Sequence, residues 1–171
     1  MNAFEQGSRK VIPAVLIYAR HGKDVLMLER APRDAQDVHA GKHNGLGGKS
    51  DPDEAAPETA AREFFEEASL HLAPARFVQV GVLHFPNFKP RKAEDWLVHV
   101  FVAHLTDVER AALPASGPEG KLHFVPGDAL AALNLWEGDR HFLPLVLQGK
   151  PFAGTFWYQD GRLVRHLLQP L

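Results

Sequence analysis

The sequence predicts an α/β protein, a single domain in which a mixed β-sheet lies between helices. The chain has 171 residues, of which 45% are apolar and 23% are charged, and this suits one globular domain with its own core. Strand-like and helix-like segments interleave along the chain without the strict alternation of a parallel βαβ protein. The sequence shows no internal repeat, heptad pattern or low-complexity tract. We therefore expect residues 1–171 to form one domain.

The individual elements follow from hydrophobic periodicity and from turn residues. Strands are predicted where apolar and β-branched residues dominate, at residues 11–18, 25–30, 77–85, 96–105, 122–125, 152–158 and 163–168. Helices are predicted at residues 57–68, 128–133 and 139–147. The last two strands should form a hairpin that closes at Asp160 and Gly161, a pair that tolerates positive φ angles.

Composition excludes several classes of function. The net charge of −2 gives no overall field that would attract a nucleic-acid polymer or an anionic membrane. Because the chain has no cysteine, disulfides, thiolate zinc sites and thiol catalysis are excluded. The apolar run at residues 11–18 is too short to span a membrane and has no signal-peptide context. We expect a cytoplasmic protein, and the sequence leaves its oligomeric state open.

Three glutamates on the helix predicted at residues 57–68 are the candidate ligands for a catalytic metal ion. Glu63, Glu66 and Glu67 stand at positions i, i+3 and i+4, so their carboxylates share one face. Like charges at this spacing repel by roughly 0.2–0.5 kcal/mol per pair. A divalent cation bound between the carboxylates would make their arrangement favourable. Mg²⁺ prefers oxygen ligands and retains waters, which leaves room for phosphates. The alternative for such a run, taken alone, is a solvated acidic face.

The surrounding spacing resembles the signature of the Nudix hydrolases. That signature is Gly, five residues, Glu, seven residues, Arg-Glu, an apolar residue, any residue, Glu-Glu, any residue, Gly and an apolar residue. The matching residues here are Gly48, Glu54, Arg62, Glu63, Phe64, Glu66, Glu67 and Leu70. Ser69 stands where the family has its second Gly. Since that Gly caps the helix in a left-handed conformation, we expect strain at the helix exit, on the order of 1 kcal/mol, without loss of chemistry.

The resemblance implies an α/β/α sandwich whose loop-helix-loop holds one to three Mg²⁺ or Mn²⁺ ions. The implied metal ligands are the Gly48 carbonyl, the carboxylates of Glu63, Glu66 and Glu67, and Glu119 from a loop outside the signature. Arg62 would orient the carboxylates as part of the catalytic set, and Glu54 would orient the loop. Either Glu63 or Glu66 could be the general base, and the sequence does not distinguish them.

Two further segments resemble the MutT-homologue branch of this family, which hydrolyses oxidised purine nucleoside triphosphates. They are residues 43–49 (HNGLGGK) and residues 134–145 (NLWEGDRHFLPL). The substrate-binding residues that this resemblance implies are Arg30, Asn44, Leu46, Gly47, Gly48, Lys49, Phe85, Trp136, Asp139 and Phe142. Gly138 stands where the branch has the first of two adjacent acids that read the base. The resemblance therefore implies a small nucleotide substrate; Asn44, Trp136 and Asp139 favour a preference for 8-oxo-dGTP, and Gly138 weakens it.

Alternatives remain at each of these positions. Without the resemblance, Trp136 and Phe142 would be core residues, Asn44 a turn residue and Asp139 a helix N-cap. The function could also be a broader diphosphohydrolase of ordinary nucleotides, dinucleoside polyphosphates or capped RNA, or a non-catalytic nucleotide-binding module. The 10 histidines are scattered, and none of them has the spacing of a metal site.

Overall fold

A computed structural model describes residues 8–171 as one mixed sheet with helices on both faces. Its strands are β1 (Lys10–His21), β2 (Asp24–Arg30), β3 (His43–Asn44), β4 (Leu46–Lys49), β5 (Val78–Lys89), β6 (Glu94–His104), β7 (Ser116–Gly117), β8 (Gly120–Pro126), β9 (Phe152–Gln159) and β10 (Arg162–Pro170). Its α-helices are α1 (Ala56–Ala68), α2 (Asp107–Ala112) and α3 (Asp139–Gln148). Short 3-10 turns occupy Pro74–Arg76, Pro90–Lys92 and Gly127–Ala132.

The sheet has the strand order β10-β9-β5-β6-β1-β2-β8-β7, with β3 added to β2 and β4 added to β1. β1 pairs with β6 in parallel, and so does β5 with β9, whereas the other pairs are antiparallel. β1 is the centre of the arrangement because it pairs with β6 along its length and with β4 across residues 14–17. β4 is thus fixed beside the start of α1.

The core lies on both sides of this sheet. Ile17 and Phe64 belong to a cluster between the sheet and α1, while Tyr18 and Phe142 belong to a second cluster between the sheet and α3. Neighbouring residues of β1 therefore point to opposite faces, as the period of a strand requires. Full burial of each large apolar side chain stabilises the fold by about 1.5–3 kcal/mol. The predicted α/β/α sandwich is confirmed.

The differences from the predicted elements are confined to short or local features. The helix predicted at residues 128–133 is a 3-10 turn at Gly127–Ala132, and α2, β3, β4 and β7 were not predicted. β5 and β6 extend further toward each other than expected, so residues 86–95 form little loop. A strand of two residues is too short to show a hydrophobic periodicity in the sequence. It is recognised only by its hydrogen bonds to a partner strand. Strands from the whole of residues 8–171 join one sheet, and residues 1–7 lie outside the described residues, so the single domain over residues 1–171 stays a prediction.

Ser69 ends α1 in a left-handed conformation, with φ of 56° and ψ of 27°. Its N–H donates to the carbonyl of Phe65 at 2.8 Å and so closes the last turn. The departure from the Nudix signature therefore keeps the expected exit geometry at some cost in strain. Within residues 8–171, no helix is long and apolar enough to cross a membrane.

Candidate active site

α1 lies directly against two glycines of β4, and the structure leaves no room for a side chain at either position. A Cβ atom on Gly48 would stand 2.4 Å from the carboxyl carbon of Glu63. A Cβ atom on Gly47 would stand 2.1 Å from the carbonyl oxygen of Val15 in the neighbouring strand. The N–H of Gly47 donates to Oε1 of Glu67 at 3.3 Å. The absence of side chains here lets the glutamate face of α1 contact the backbone of β4.

Arg62 connects the glutamates of α1 to the loop before it. Its guanidinium donates to Glu54 at 2.7 and 3.0 Å, to Glu63 at 2.9 Å and to Glu66 at 3.3 Å. It also donates to the carbonyl of Lys49 at 2.9 Å. The hydrogen bonds from Arg62 lower the pKa of Glu54 to about 2. Glu54 thus holds the loop to the helix as a permanent anion, in agreement with its expected orienting role.

Two other glutamates of α1 differ in their surroundings. Glu58 is within i−4 of Arg62, but its carboxylate accepts the N–H of Ala55 at 2.8 Å and closes the start of the helix. Glu58 therefore has a capping role at the start of the helix. The side chain of Glu66 is 54% exposed, so it faces the solvent edge of the cluster.

Glu67 is the most deeply buried carboxylate of the cluster. The residue is only 5% exposed, and its Oε2 has no hydrogen-bond partner among residues 8–171. Burial, together with the negative charges of Glu119 and Glu63, raises the pKa of Glu67 to about 8. A buried carboxylate beside two other carboxylates is costly unless a cation compensates it. This set of oxygen donors fits a hard divalent ion such as Mg²⁺.

The turn between β7 and β8 brings a fourth carboxylate to this group. A Cβ atom on Gly117 would stand 2.1 Å from the carbonyl oxygen of Glu67, so the turn packs tightly against the end of α1. Glu119 accepts a hydrogen bond from Nη1 of Arg30 at 2.9 Å. Burial raises the pKa of both Glu63 and Glu67, and the charge of Glu119 adds to the rise. Arg30 and Glu119 therefore lie at the glutamate cluster; the sequence assigned Glu119 to the metal and Arg30 to the substrate, and both roles stay predictions.

Five half-buried aromatic side chains form a second surface, which we call the aromatic slot; they are Phe85, Phe88, Trp96, Trp136 and Tyr158. Ring centroids lie 5.2 Å apart for Phe85 and Phe88 and 5.6 Å for Phe88 and Trp96. Tyr158 lies 6.2 Å from both Phe85 and Trp136. The sequence identified only Phe85 and Trp136, because residues 86–95 looked like a loop and no local pattern marks Tyr158.

Lysines connect the aromatic slot to the glutamate cluster. Lys49 directly follows Gly48, and its Nζ lies 5.2 Å from the ring centroid of Trp96. Nζ of Lys89 lies at the same distance from that ring. Burial and the charge of Lys49 lower the pKa of Lys89. A molecule with an aromatic ring in the slot and an anionic chain toward the glutamates would pass these two cations.

Asp139 and Asn44 are two further groups that the sequence assigned to the substrate. Asp139 begins α3 without acting as its side-chain cap, and burial raises its pKa to about 7 against the charges of Lys42 and Arg140. Oδ1 of Asn44 is buried and has no hydrogen-bond partner within residues 8–171. Both groups have donors or acceptors that a ligand could use.

The comparison with known proteins agrees with this geometry. The family model of the NUDIX domain matches residues 8–146, which include the glutamate cluster and most of the slot. The chain belongs to the Nudix family.

Two relatives carry the same name. The chain is 31% identical to the oxidized purine nucleoside triphosphate hydrolase of Mus musculus over 121 residues, which cover 71% of this chain and 72% of that protein. It is 32% identical to the protein of that name from Danio rerio over 120 residues, with 70% and 72% covered. The crystal structure of a MutT protein from Bacillus halodurans is similar, with a TM-score of 0.76, 25% identity, and 92% and 97% coverage. The chain is thus a Nudix hydrolase, an enzyme that acts on diphosphate bonds.

Two residues predicted to bind substrate lie elsewhere in this Nudix domain. Leu46 is fully buried in the cluster beneath α1. Phe142 is 1% exposed and packs against Phe152 and Phe156, with ring centroids 5.9 Å from each. Both side chains are core residues, because the strand period and the helix face turn them inward. We therefore leave Leu46 and Phe142 out of the proposed substrate site.

The structure explains why residue 138 is a glycine. Its N–H donates to the hydroxyl of Tyr158 at 2.7 Å, and a Cβ atom on Gly138 would stand 2.7 Å from that hydroxyl. The φ of −64° at Gly138 suits any residue, so space alone requires glycine here. The phenol of Tyr158 occupies the position that a side chain on residue 138 would need.

Replacing Asp139 by Asn should raise the melting temperature at about pH 8, and the gain should shrink toward pH 4. The folded protein holds the Asp139 proton up to about pH 7, whereas an ordinary aspartate releases it near pH 3.8. The stability that this proton contributes is full below pH 4 and is lost as the pH rises through 7. Each kcal/mol recovered corresponds to about 2–4 °C in a chain of this size. Thermal unfolding in chelator across this range measures the gain, and Asp128→Asn, at an exposed position, is the control. A gain that does not change with pH would contradict the expectation.

Proposed function

We propose that this Nudix hydrolase uses Mg²⁺ to convert nucleoside triphosphates to the monophosphate and pyrophosphate, with oxidised or otherwise non-standard purines such as 8-oxo-dGTP preferred. The observation that carries the proposal is the contact of β4 with both surfaces: its Lys49 lies at Trp96 of the aromatic slot, and its Gly47 donates to Glu67, whose second carboxylate oxygen is unpartnered within residues 8–171. A planar base, a flexible anionic chain and a metal-bound phosphate would use the slot, the lysine and the carboxylate in turn. The names of the two vertebrate relatives support the same substrate class.

The glutamate cluster would hold the ion through the Gly48 carbonyl and the carboxylates of Glu63, Glu66, Glu67 and Glu119. Bound Mg²⁺, or Mn²⁺ in its place, would neutralise phosphate oxygens and lower the pKa of a bound water. Arg62 keeps the carboxylates of Glu63 and Glu66 aligned through its hydrogen bonds. Arg30 balances the charge of Glu119. Glu63 and Glu66 both stay candidates for the general base.

The aromatic slot would take the purine. Rings of Phe85, Phe88 and Trp136 offer apolar faces for stacking, and the indole N–H of Trp96 is already directed to Glu94 at 3.3 Å. The edge of the base would meet the amide of Asn44 and the carboxyl of Asp139. A site that holds buried polar groups in this way rejects ligands that leave them unpaired.

A second candidate is a broader diphosphohydrolase, which acts on ordinary nucleotides, dinucleoside polyphosphates or capped RNA ends. Gly138 favours this candidate, because it removes one of the two acids that the oxidised-purine branch uses to read the base. A non-catalytic module is disfavoured, since Glu63, Glu66 and Glu67 are all present at the cluster. A small nucleotide, rather than a nucleic-acid polymer or a membrane, is the expected ligand, and we expect the enzyme to work in the cytoplasm.

A panel of nucleotides incubated with Mg²⁺ and resolved by chromatography tests the proposal. We expect monophosphate and pyrophosphate from at least one triphosphate, and kcat/KM for 8-oxo-dGTP at least about tenfold above that for dGTP, which corresponds to roughly 1.4 kcal/mol of discrimination. Equal rates on 8-oxo-dGTP, dGTP and dCTP would favour the broader enzyme. No turnover of any nucleotide or dinucleoside polyphosphate in the panel would contradict the hydrolase chemistry.

A further inference from the structure

Three side chains with metal-ligating atoms meet outside the glutamate cluster. They are Glu29 on β2, His43 on β3 and His123 on β8, and one ligand atom from each lies within 4.8 Å of the others. Glu29 is the direct cross-strand partner of His43, and His123 pairs with Met27, two residues before Glu29. Cross-strand partners and residues two apart share a face of the sheet, so the register brings these three side chains together. No local pattern in the sequence predicts this group, since the three residues are far apart in the chain.

This group lies on the other face of the sheet from the glutamate cluster. Met27 belongs to the core cluster on the α3 side, and Leu28 belongs to the cluster on the α1 side. Glu29 therefore points to the α3 side with Met27, whereas Arg30 points with Leu28 toward Glu119. The two groups of carboxylates are separated by the sheet, and an ion at one does not share ligands with the other.

The geometry of the three side chains suits a small ion. Nε2 of His43 lies 4.0 Å from Oε2 of Glu29, and the rings of His43 and His123 have centroids 5.3 Å apart at an angle of 67°. Ligand atoms around a tetrahedral Zn²⁺ are about 3.3 Å apart, given bonds of about 2.0–2.1 Å. Glu29 has a 38% exposed side chain, so it can close this difference by rotation about its own bonds.

The position of His43 also suits a metal ligand. Its side chain is only 14% exposed, and its Nε2 is the atom that faces Glu29. The backbone of His43 is held by its N–H, which donates to the carbonyl of Asn134 at 2.9 Å. The imidazole therefore faces Glu29 from a strand that is fixed on both sides.

We propose that Glu29, His43 and His123 form a binding site for Zn²⁺ or a similar borderline divalent ion, separate from the Mg²⁺ site on α1. Two imidazoles and one carboxylate are ligands that zinc accepts and that Mg²⁺ does not prefer. Water would complete the coordination. The ion would join β3 to β2 and β8, and so would fix the two-residue strand that carries Asn44.

Zn²⁺ binding to the metal-free full chain, measured by competition with a chromophoric chelator in excess Mg²⁺, tests the site. We expect one Zn²⁺ per chain, with affinity lowered at least about tenfold by His123→Ala and by Glu29→Gln. His104→Ala, which removes an exposed histidine elsewhere, should leave the affinity unchanged. Co²⁺ in place of Zn²⁺ should give visible absorption bands of a four-coordinate site in the wild type and lose them in Glu29→Gln.

Three outcomes would contradict the proposed site. The protein could bind no Zn²⁺, or His123→Ala and Glu29→Gln could leave Zn²⁺ binding unchanged. Binding could also disappear in Glu67→Gln, and this would assign the ion to the glutamate cluster. If His123→Ala does not fold, Glu29→Gln decides, since it keeps the size of a half-buried side chain. Because the readout is binding, its result is independent of whether the proposed nucleotide substrate is correct.

Discussion

Replacing Glu67 by Gln is expected to lower kcat/KM by about three orders of magnitude or more while the protein stays folded. Glu67 combines the deepest burial in the cluster with an oxygen that has no partner, so the proposed ion would depend on it most. Charge stabilisation by a bound metal is worth several kcal/mol, and each 1.4 kcal/mol is a factor of ten in rate. Because Gln keeps the volume of the side chain and carries no charge, the melting temperature in chelator should not fall.

Glu58→Gln provides a matched control on the same helix. Glu58 accepts the N–H of Ala55, a capping position at which Gln serves as well as Glu, and it lies outside the cluster. Its kcat/KM should stay within about twofold of the wild type, since exposed changes away from a site have small effects. Retained turnover in Glu67→Gln at saturating Mg²⁺ would contradict the proposed ion site. A large fall in the melting temperature of Glu67→Gln would mean instead that its effect is structural.

The glutamate cluster could be predicted from the sequence because its geometry is local. A helix alone places Glu63, Glu66 and Glu67 on one face, and the glycines before it mark the close contact with β4. The strain at Ser69 was predictable for the same reason, since one position in the family signature needs a left-handed conformation. Local spacing therefore predicts both the candidate metal ligands and the way the helix ends.

The remaining parts of the site depend on contacts between distant segments. Glu119 reaches the cluster because the turn at Gly117 packs on the last residues of α1, and this contact has no local signal. Leu46 and Phe142 were predicted to meet substrate from their places in motifs, but strand and helix faces turn them into the core. Phe88 belongs to a stretch rich in turn residues that the pairing of β5 with β6 makes extended, and this pairing also brings Trp96 opposite Phe85. Sheet register, rather than residue type, decides these positions.

A side chain at position 138 and the phenol of Tyr158 would compete for the same space, and this competition affects the proposed substrate preference most directly. Where an acid at position 138 would read the base, this chain has the phenol of Tyr158. Its oxygen accepts the N–H of Gly138, which leaves its own proton available for an acceptor on the base. Tyr158 would then supply a donor beside Asp139 and partly replace the missing acid.

We expect Tyr158→Phe to reduce the preference for 8-oxo-dGTP over dGTP by about 2–10-fold, since one hydrogen bond contributes about 0.5–1.5 kcal/mol. Tyr18→Phe is the matched control, because the buried hydroxyl of Tyr18 has no hydrogen-bond partner within residues 8–171. Its removal should leave the preference unchanged. The ratio of kcat/KM values for the two triphosphates is the measurement.

Gly138→Asp alone should unfold at a lower temperature, because its Cβ atom would overlap the Tyr158 hydroxyl; overpacking of this kind costs about 1–3 kcal/mol. The double variant Gly138→Asp, Tyr158→Phe removes the overlap and restores two adjacent carboxyl groups. It should recover most of the lost melting temperature and raise the 8-oxo-dGTP preference about tenfold above that of Tyr158→Phe. Strictly additive effects in this double-mutant cycle would contradict the idea that the two side chains compete for one position, because residues in contact show a coupling energy of about 0.5–3 kcal/mol.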